Sequence, residues 1–148
     1  LENDVEILPN CIIEESYVGS GSRVGPFARL RPESELTKDV RVGNFVEVKK
    51  STIGAGSKVN HLSYVGDAEI NNNANIGAGM ITCNYDGYKK NKTYIGENCF
   101  IGSNSSLIAP IKIEKNSIIG ASTVIDKDIP AGTTVYRKSE LIKKNNKK

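Results

Sequence analysis

The sequence predicts an all-β domain, a parallel β-helix built from six-residue repeats. Ile and Val together number 28 against 7 Leu, a balance that favours pleated strands over helices. An Ile or Val is followed by Gly nine times, and an aliphatic residue recurs at every sixth position from Val18 to Val48 and again from Ile95 to Ile119. No stretch has the 3.6-residue apolar period of an amphipathic helix. These observations indicate a hexapeptide repeat.

Each six-residue unit has one inward aliphatic side chain, which is too little apolar surface to close a core alone, so the units must stack. Three units form an 18-residue coil of triangular section, and successive coils lie about 4.8 Å apart. Gly and Asn are abundant in the repeat and are expected at the corners, because left-handed backbone conformations cost them least.

One domain accounts for the 148 residues, with the β-helix expected at 1–137. Two steps of the repeat, from Val48 and from Val65, are five residues long, and the step from Ile81 to Ile95 is fourteen residues long. This polar segment predicts a projecting loop at about 82–93, either a functional loop or a tolerated insertion. Residues 138–148 hold five Lys and one Glu and are expected to form a basic, disordered tail.

Charge and composition argue against several classes of protein. Outside the tail, 15 Lys and Arg stand against 16 Asp and Glu, so no basic face for a nucleic acid is predicted. No apolar run approaches the roughly 20 residues of a membrane helix, and we expect a cytoplasmic protein with no membrane partner. Cys11, Cys83 and Cys99 lack CxxC spacing and are predicted to be buried thiols.

Stacking places several polar residues next to one another. Arg31 and Lys49 are 18 residues apart, one full coil, so they should share an outward face. Two cations about 5 Å apart can form a clamp for a phosphate or carboxylate. Neutralisation by Glu47 is the alternative, and spacing alone leaves both open. Tyr64 lies 17 residues after Glu47, so this pair should also stack.

His61 is the only histidine of the chain and stands two positions after the inward Val59, so it should point outward. An imidazole that is oriented by a carboxylate can act as a base near neutral pH. A lone histidine can equally be structural, but the neighbouring acid, tyrosine and cation pair favour catalysis. One histidine per chain cannot assemble the three-histidine metal site of γ-type carbonic anhydrases, and no metal is predicted.

Five motifs resemble, in order and spacing, the acetyltransferase half of the bacterial bifunctional glucosamine-1-phosphate acetyltransferase / N-acetylglucosamine-1-phosphate uridyltransferase family. They are 25–32 (GPFARLRP), 43–50 (GNFVEVKK), 61–64 (HLSY), 75–79 (NIGAG) and 82–87 (TCNYDG). The resemblance implies a left-handed parallel β-helix, a homotrimer, and acetyl transfer from acetyl-CoA to glucosamine 1-phosphate for UDP-N-acetylglucosamine synthesis. Uridyl transfer and its Mg²⁺ are expected of an N-terminal domain that this chain lacks.

The resemblance also assigns roles to residues. His61 is similar to the family's general base and Glu47 to the residue that orients it. The sugar-phosphate positions are Arg31, Lys49, Tyr64 and Asn75, and Lys90 reaches the site from the loop. The acetyl-CoA positions are Ala78, Asn84, Tyr85, Ser103 and Ala121, with Arg137, or the adjacent Lys138, near its phosphates; Asn84 is also placed with the catalytic residues. Asn60 and Met80 depart from the family's common Gly and Thr.

The expected chemistry is direct attack of the amine on the thioester, with backbone N–H groups around Tyr85 or the Ser103 hydroxyl stabilising the oxyanion. Cys83 is the one thiol near enough for a covalent route. Two other functions stay open: a hexapeptide acyltransferase for another amino sugar, and a structural β-helix such as an ice-binding protein. The second would require a regular ladder of identical outward residues, whereas the outward residues here are heterogeneous.

Overall fold

The computed structural model describes residues 1–145, and the strands of this part build a three-sided parallel β-helix. Sheet A contains β1 (Glu6–Ile7), β4 (Arg23–Val24), β7 (Arg41–Asn44), β10 (Lys58–His61), β13 (Asn75–Ile76), β16 (Phe100–Ile101), β19 (Ile118–Ile119) and β21 (Thr134–Val135). Sheet B contains β2 (Ile12–Ile13), β5 (Arg29–Leu30), β8 (Glu47–Lys49), β11 (Tyr64–Gly66), β14 (Ile81–Cys83), β17 (Ser106–Ile108) and β20 (Val124–Ile125). Sheet C contains β3 (Tyr17–Val18), β6 (Glu35–Leu36), β9 (Thr52–Ile53), β12 (Ala68–Ile70), β15 (Thr93–Ile95) and β18 (Ile111–Ile113).

The inward aliphatic side chains of each sheet stack in register. In sheet A, Val42 pairs with Val59, Val59 with Ile76, and Ile76 with Ile101, and all four are buried. The predicted β-helix is therefore confirmed, and its three-strand coils are consistent with left-handed coiling. Within residues 1–145 there is no helix that could cross a membrane.

The corners hold more residue types than the sequence predicts. Asn73 and Asn116 have left-handed φ angles as expected, but so do Phe27, Phe45 and Leu62 at the corner between sheets A and B. Left-handed backbone is uncommon for bulky side chains.

The glycines of the Ile/Val-Gly pairs lie mostly at strand ends instead. At Gly102, a Cβ would come within 2.6 Å of the backbone carbon of Gly120 on the next coil. Except at Gly25, which has a φ of 100°, these glycines are thus explained by the close approach of neighbouring coils rather than by left-handed turns.

The projecting loop is shorter than predicted. β14 ends at Cys83 and β15 begins at Thr93, so the loop covers 84–92. Its ends meet through an antiparallel bridge between Tyr85 and Lys90. The extra residues of the 82–93 prediction belong to strands because Thr82 fills an inward, buried position of β14.

The predicted tail is exposed and contains no strand over 138–145. Residues 146–148, the rest of that prediction, lie outside the described residues. The prediction of buried thiols is right for Cys99 and wrong for Cys11 and Cys83, which are partly exposed; all three thiols are free.

Candidate functional site

Arg31 and Lys49 lie side by side on the outer surface of sheet B. Leu30 pairs with Val48, so the next residues along each strand, Arg31 and Lys49, are neighbours. Lys49 in turn pairs with Gly66 of the following coil. The predicted stacking of the two cations is confirmed by this register, and we call Arg31 and Lys49 the cation column.

The two members of the cation column have different partners. Arg31 Nη1 donates to Glu47 Oε1 at 2.9 Å, and this hydrogen bond to the carboxylate raises the pKa of Arg31 above its ordinary value. Lys49 has no ion pair among residues 1–145. The neutralisation by Glu47 that the spacing left open is therefore present for Arg31 and not for Lys49 within residues 1–145.

Tyr64 pairs with Glu47 across one coil, as predicted. Its ring lies over Gly66, since a Cβ there would come within 2.6 Å of Tyr64 Cζ and of Asn84 Nδ2. The buried Asn84 amide donates to Tyr64 Oη at 3.3 Å and to Asp67 Oδ2 at 2.6 Å. The first residue of the loop is thus tied to the coil that stacks directly on the coil of Lys49.

His61 ends β10 at the A–B corner, and its ring is exposed. Its Nδ1 lies 3.0 Å from Asn44 Oδ1, and the two residues are register partners of β10 and β7. Among residues 1–145, Glu47 makes no hydrogen bond to His61, and its carboxylate is paired with Arg31; the orienting role implied for Glu47 stays a prediction. Sequence analysis missed Asn44, although it lies 17 residues before His61, the same one-coil spacing that relates Glu47 to Tyr64.

Ala78, Ser103 and Ala121 form a column above His61. The carbonyls of His61, Ala78 and Ser103 each accept a backbone N–H from the corner of the next coil, at 3.2, 2.8 and 2.8 Å. Ile119 pairs with Val135 in the last strand, and the exposed Arg137 follows two residues after Val135. We call Ala78, Ser103 and Ala121 the small-residue column; it runs along one edge of sheet A.

Asn75 and the loop residues complete the predicted set. Asn75 begins β13 on the outer surface of sheet A, where it pairs with Lys58 and Phe100. In the loop, Lys90 Nζ lies 4.3 Å from the centre of the Tyr85 ring, and both side chains are exposed. The structure brings His61 next to the small-residue column, and it brings Tyr64 and Asn84 next to the cation column. Lys90 and Tyr85 contact each other within the loop.

Asp86 fixes the loop. Its carboxylate accepts hydrogen bonds from the backbone N–H of Tyr88 and Lys89 and from Asn91 Nδ2, at 2.9, 2.8 and 2.9 Å. The N–H of Lys89 contributes most, followed by that of Tyr88, and together these bonds lower the pKa of Asp86 from 3.8 to about 2. Because the loop is held by these internal hydrogen bonds, the backbone that carries Lys90 is fixed.

A shallow groove of about 380 Å³ lies next to His61 on sheet A. Arg23 and Arg41, which are neighbours in register, line it together with Asn44 and Asn60. Sequence analysis did not identify these two arginines, and Arg23 is paired with Glu6 at 3.3 Å. Within residues 1–145 no group of three or more His, Cys, Asp or Glu side chains is arranged to hold a metal ion.

Comparison with known proteins agrees with the repeat and with the motifs. Residues 92–127 match the family described as bacterial transferase hexapeptide (six repeats). The chain is 58% identical over 142 residues to the bifunctional protein GlmU of Chromobacterium violaceum. The matched residues make up 96% of this chain and 31% of that protein. It is also 58% identical over 130 residues to GlmU of Thermodesulfovibrio yellowstonii, covering 88% of this chain and 29% of that protein.

The chain thus contains a hexapeptide repeat of the bacterial transferase type at residues 92–127 and is similar to GlmU proteins over nearly its whole length. It spans about a third of the length of the GlmU proteins that it matches, and the resemblance seen in its motifs is confirmed.

Solved structures share the fold at lower identity. A mutant of GDP-perosamine N-acetyltransferase from Caulobacter crescentus, in complex with CoA and GDP-perosamine, has a TM-score of 0.70 at 22% identity, over 82% of this chain and 54% of that one. The acetyltransferase domain of PglB from Neisseria gonorrhoeae has a TM-score of 0.61 at 24% identity, over 90% and 54%. These similarities establish the β-helix.

Proposed function

We propose that this chain transfers the acetyl group of acetyl-CoA to the amine of glucosamine 1-phosphate, giving N-acetylglucosamine 1-phosphate for UDP-N-acetylglucosamine synthesis. The identity to GlmU proteins supports this family of reactions. One observation carries the proposal: an exposed histidine, His61, stands at the A–B corner, with the cation column on one adjoining sheet and the small-residue column on the other. This arrangement supports His61 as the base between an anionic acceptor on one sheet and an acyl donor on the other.

The sugar phosphate is proposed to bind at the cation column. Lys49 offers a free ammonium group, and Arg31 is held by Glu47 with guanidinium N–H groups left over for a phosphate. Charge-assisted hydrogen bonds of this kind are the strong ones. Tyr64 and Asn75 would contact the sugar, on the strength of the resemblance.

Acetyl-CoA is proposed to lie along the small-residue column. Short side chains at Ala78, Ser103 and Ala121 leave the edge of sheet A open for an extended ligand, and Arg137 at its end could meet the phosphates. Asn84 and Tyr85 would contact the acyl end from the loop. No metal ion is required for this transfer, since the thioester is already an activated acyl donor.

The proposed chemistry is a single acyl transfer. The amine forms a C–N bond to the thioester carbonyl, the C–S bond breaks, and CoA leaves as a thiol. His61 takes the proton that the amine gives up, as a general base, and can return it to the departing sulfur. The Ser103 hydroxyl and the backbone N–H groups around Tyr85 are the donors proposed for the oxyanion.

We further propose that the enzyme is a homotrimer, with its sites between subunits and Lys90 of one loop completing a neighbour's site. Phe27, Phe45 and Leu62 support association, because these side chains are 50%, 56% and 59% exposed and follow one another along the corner that carries His61. A partner subunit would cover them and exclude water from the site. The proposed substrates and the free thiols of the cysteines favour a cytoplasmic location.

A thiol-release assay with acetyl-CoA and a panel of acceptors tests the reaction. We expect rapid release with glucosamine 1-phosphate and little with glucosamine, because only the former has the anion that the cation column binds. Equal kcat/KM for the two acceptors would refute the role of that column. Preference for another amino sugar or a sugar nucleotide would assign the chain to a different hexapeptide acyltransferase activity.

A further inference from the structure

We infer that Asn44 is the positioning residue of His61: it fixes the ring so that Nδ1 carries the hydrogen and Nε2 is the atom that accepts the substrate proton. This inference rests on the proposed function, in which His61 is the base. Nε2 is then the nitrogen that accepts the proton, and the side-chain amide of Asn44 orients the ring.

The contact is built into the coil. Asn44 and His61 are register partners of β7 and β10, and Asn44 Oδ1 lies 3.0 Å from His61 Nδ1. The main chain adds a second link, since the backbone N–H of Leu62 donates to the carbonyl of Asn44 at 3.1 Å. The ring and the strand that carries it are therefore both bonded to the same residue.

The hydrogen bond selects one form of the neutral ring. An amide oxygen only accepts, so the nitrogen that faces it must donate, and the other nitrogen then keeps its lone pair. Nδ1–H facing Asn44 leaves Nε2 as the acceptor nitrogen of the exposed ring.

The backbone on either side holds Asn44 in place. Phe45 has a left-handed φ of 56°, and its ring stacks on Phe27 with centroids 5.5 Å apart. On the other side, a Cβ at Gly43 would come within 2.9 Å of the Cα of Asn60, so these coils approach closely. Asn44 is thus held between a stacked corner and a tight contact, which limits its movement relative to His61.

A neutral partner suits this site. The carboxylate of Glu47 is used by Arg31, and the amide of Asn44 orients the ring without adding negative charge near the proposed phosphate site. An anion there would repel the sugar phosphate.

The test uses the single histidine of the chain, which gives one unambiguous set of imidazole signals. The full chain is labelled with ¹⁵N-histidine, and long-range ¹H–¹⁵N spectra are recorded in mildly alkaline buffer, where the neutral ring is observed. We expect the Nδ1–H form in the wild type and in Asn44→Asp, which keeps an acceptor. We expect a mixture shifted toward Nε2–H in Asn44→Leu.

Asn71→Leu is the matched control. Asn71 Nδ2 donates to Tyr94 Oη on another face of the β-helix. Its loss therefore tests the general effect of removing an Asn hydrogen bond and should leave the His61 spectrum unchanged.

In the acetylation assay, Asn44→Leu should lower kcat roughly threefold to tenfold, the effect of one neutral hydrogen bond. KM for glucosamine 1-phosphate should change little.

The spectra do not depend on activity, so the inference and the proposed function can fail separately. A wild-type Nε2–H form, or identical spectra for wild type and Asn44→Leu, would overturn the role of Asn44 even if acetylation is observed. The expected spectra without acetyl transfer would support the positioning and refute the proposed reaction.

Discussion

Glu47 and Arg31 set the charge of the cation column. The side chains of Arg31 and Glu47 are 34% and 37% exposed, so solvent screens the pair and it contributes little to stability. Its value to the site is geometric, because the carboxylate aligns one edge of the guanidinium and leaves Lys49 as the free cation. The two cations should therefore respond differently to substitution.

Lys49→Ala should weaken use of the phosphorylated acceptor. Losing one charge-assisted contact costs roughly 1.5–3 kcal/mol, which corresponds to about a tenfold to hundredfold lower kcat/KM for glucosamine 1-phosphate. Steady-state kinetics with Lys115→Ala, an exposed lysine away from the column, gives the control. Equal kinetics for wild type and Lys49→Ala would show that Lys49 does not bind the phosphate.

Glu47→Gln should mainly weaken the binding of glucosamine 1-phosphate. The substitution leaves Arg31 charged and removes the carboxylate that aligns it, so we expect a higher KM for glucosamine 1-phosphate and a smaller fall in kcat than His61→Ala produces. The measurement is the split between KM and kcat. A fall in kcat as large as that of His61→Ala would mean that Glu47 acts on the base itself, as the sequence predicted.

Among the structural elements, the loop at 84–92 has a stability that depends on a titrating group, Asp86. The pKa of Asp86 is lowered from 3.8 to about 2 by hydrogen bonds from the N–H groups of Lys89 and Tyr88 and from Asn91. A carboxylate with a lowered folded-state pKa stabilises the folded loop fully above the unfolded value. That contribution is lost as the pH falls from about 3.8 through about 2.

A carboxyl ¹³C titration of Asp86 should therefore have a midpoint at about 2. Hydrogen exchange at the Tyr88 and Lys89 amides should lose protection over the same pH range, because the protonated acid is a weaker acceptor. Asn91→Ala should raise the midpoint partway toward 3.8. A wild-type midpoint at the ordinary value would show that the hydrogen bonds to the Asp86 carboxylate do not form.

The strands and their offsets could be predicted from the repeat alone. A period of 17 or 18 residues per coil converts directly into register, which is why the stacking of Arg31 on Lys49 and of Glu47 on Tyr64 agrees with the structure. Register shows which residues are neighbours but does not determine their side-chain rotamers. The hydrogen bond between His61 and Asn44 could therefore not be predicted with the same certainty.

The corner residues were harder to predict than the strands. Propensity favours Gly and Asn for left-handed backbone, yet Phe27, Phe45 and Leu62 occupy three such positions. At these positions the coil geometry overrides local preference. The resulting exposed apolar corner is a property of the assembled β-helix and has no signature in the six-residue repeat.

For the whole molecule, association should depend on this corner. Phe45→Asn removes apolar surface while placing at φ 56° a residue that tolerates left-handed backbone, so loss of trimer could not be ascribed to strain. Light scattering should give about three times 16.0 kDa for the wild type and a lower mass for the variant. Tyr17→Asn, an exposed aromatic residue on sheet C, should remain trimeric, and a wild-type monomer with full activity would refute the subunit proposal.

The turnover of His61→Ala tests the central claim most directly. With saturating glucosamine 1-phosphate and acetyl-CoA, the substitution should lower kcat by roughly 10²–10⁴, the contribution of a positioned general base. The melting temperature should change little, because the ring is exposed and makes one hydrogen bond. Turnover near the wild-type rate at neutral pH would show that His61 is not the base, and would contradict the proposed mechanism while leaving the β-helix unaffected.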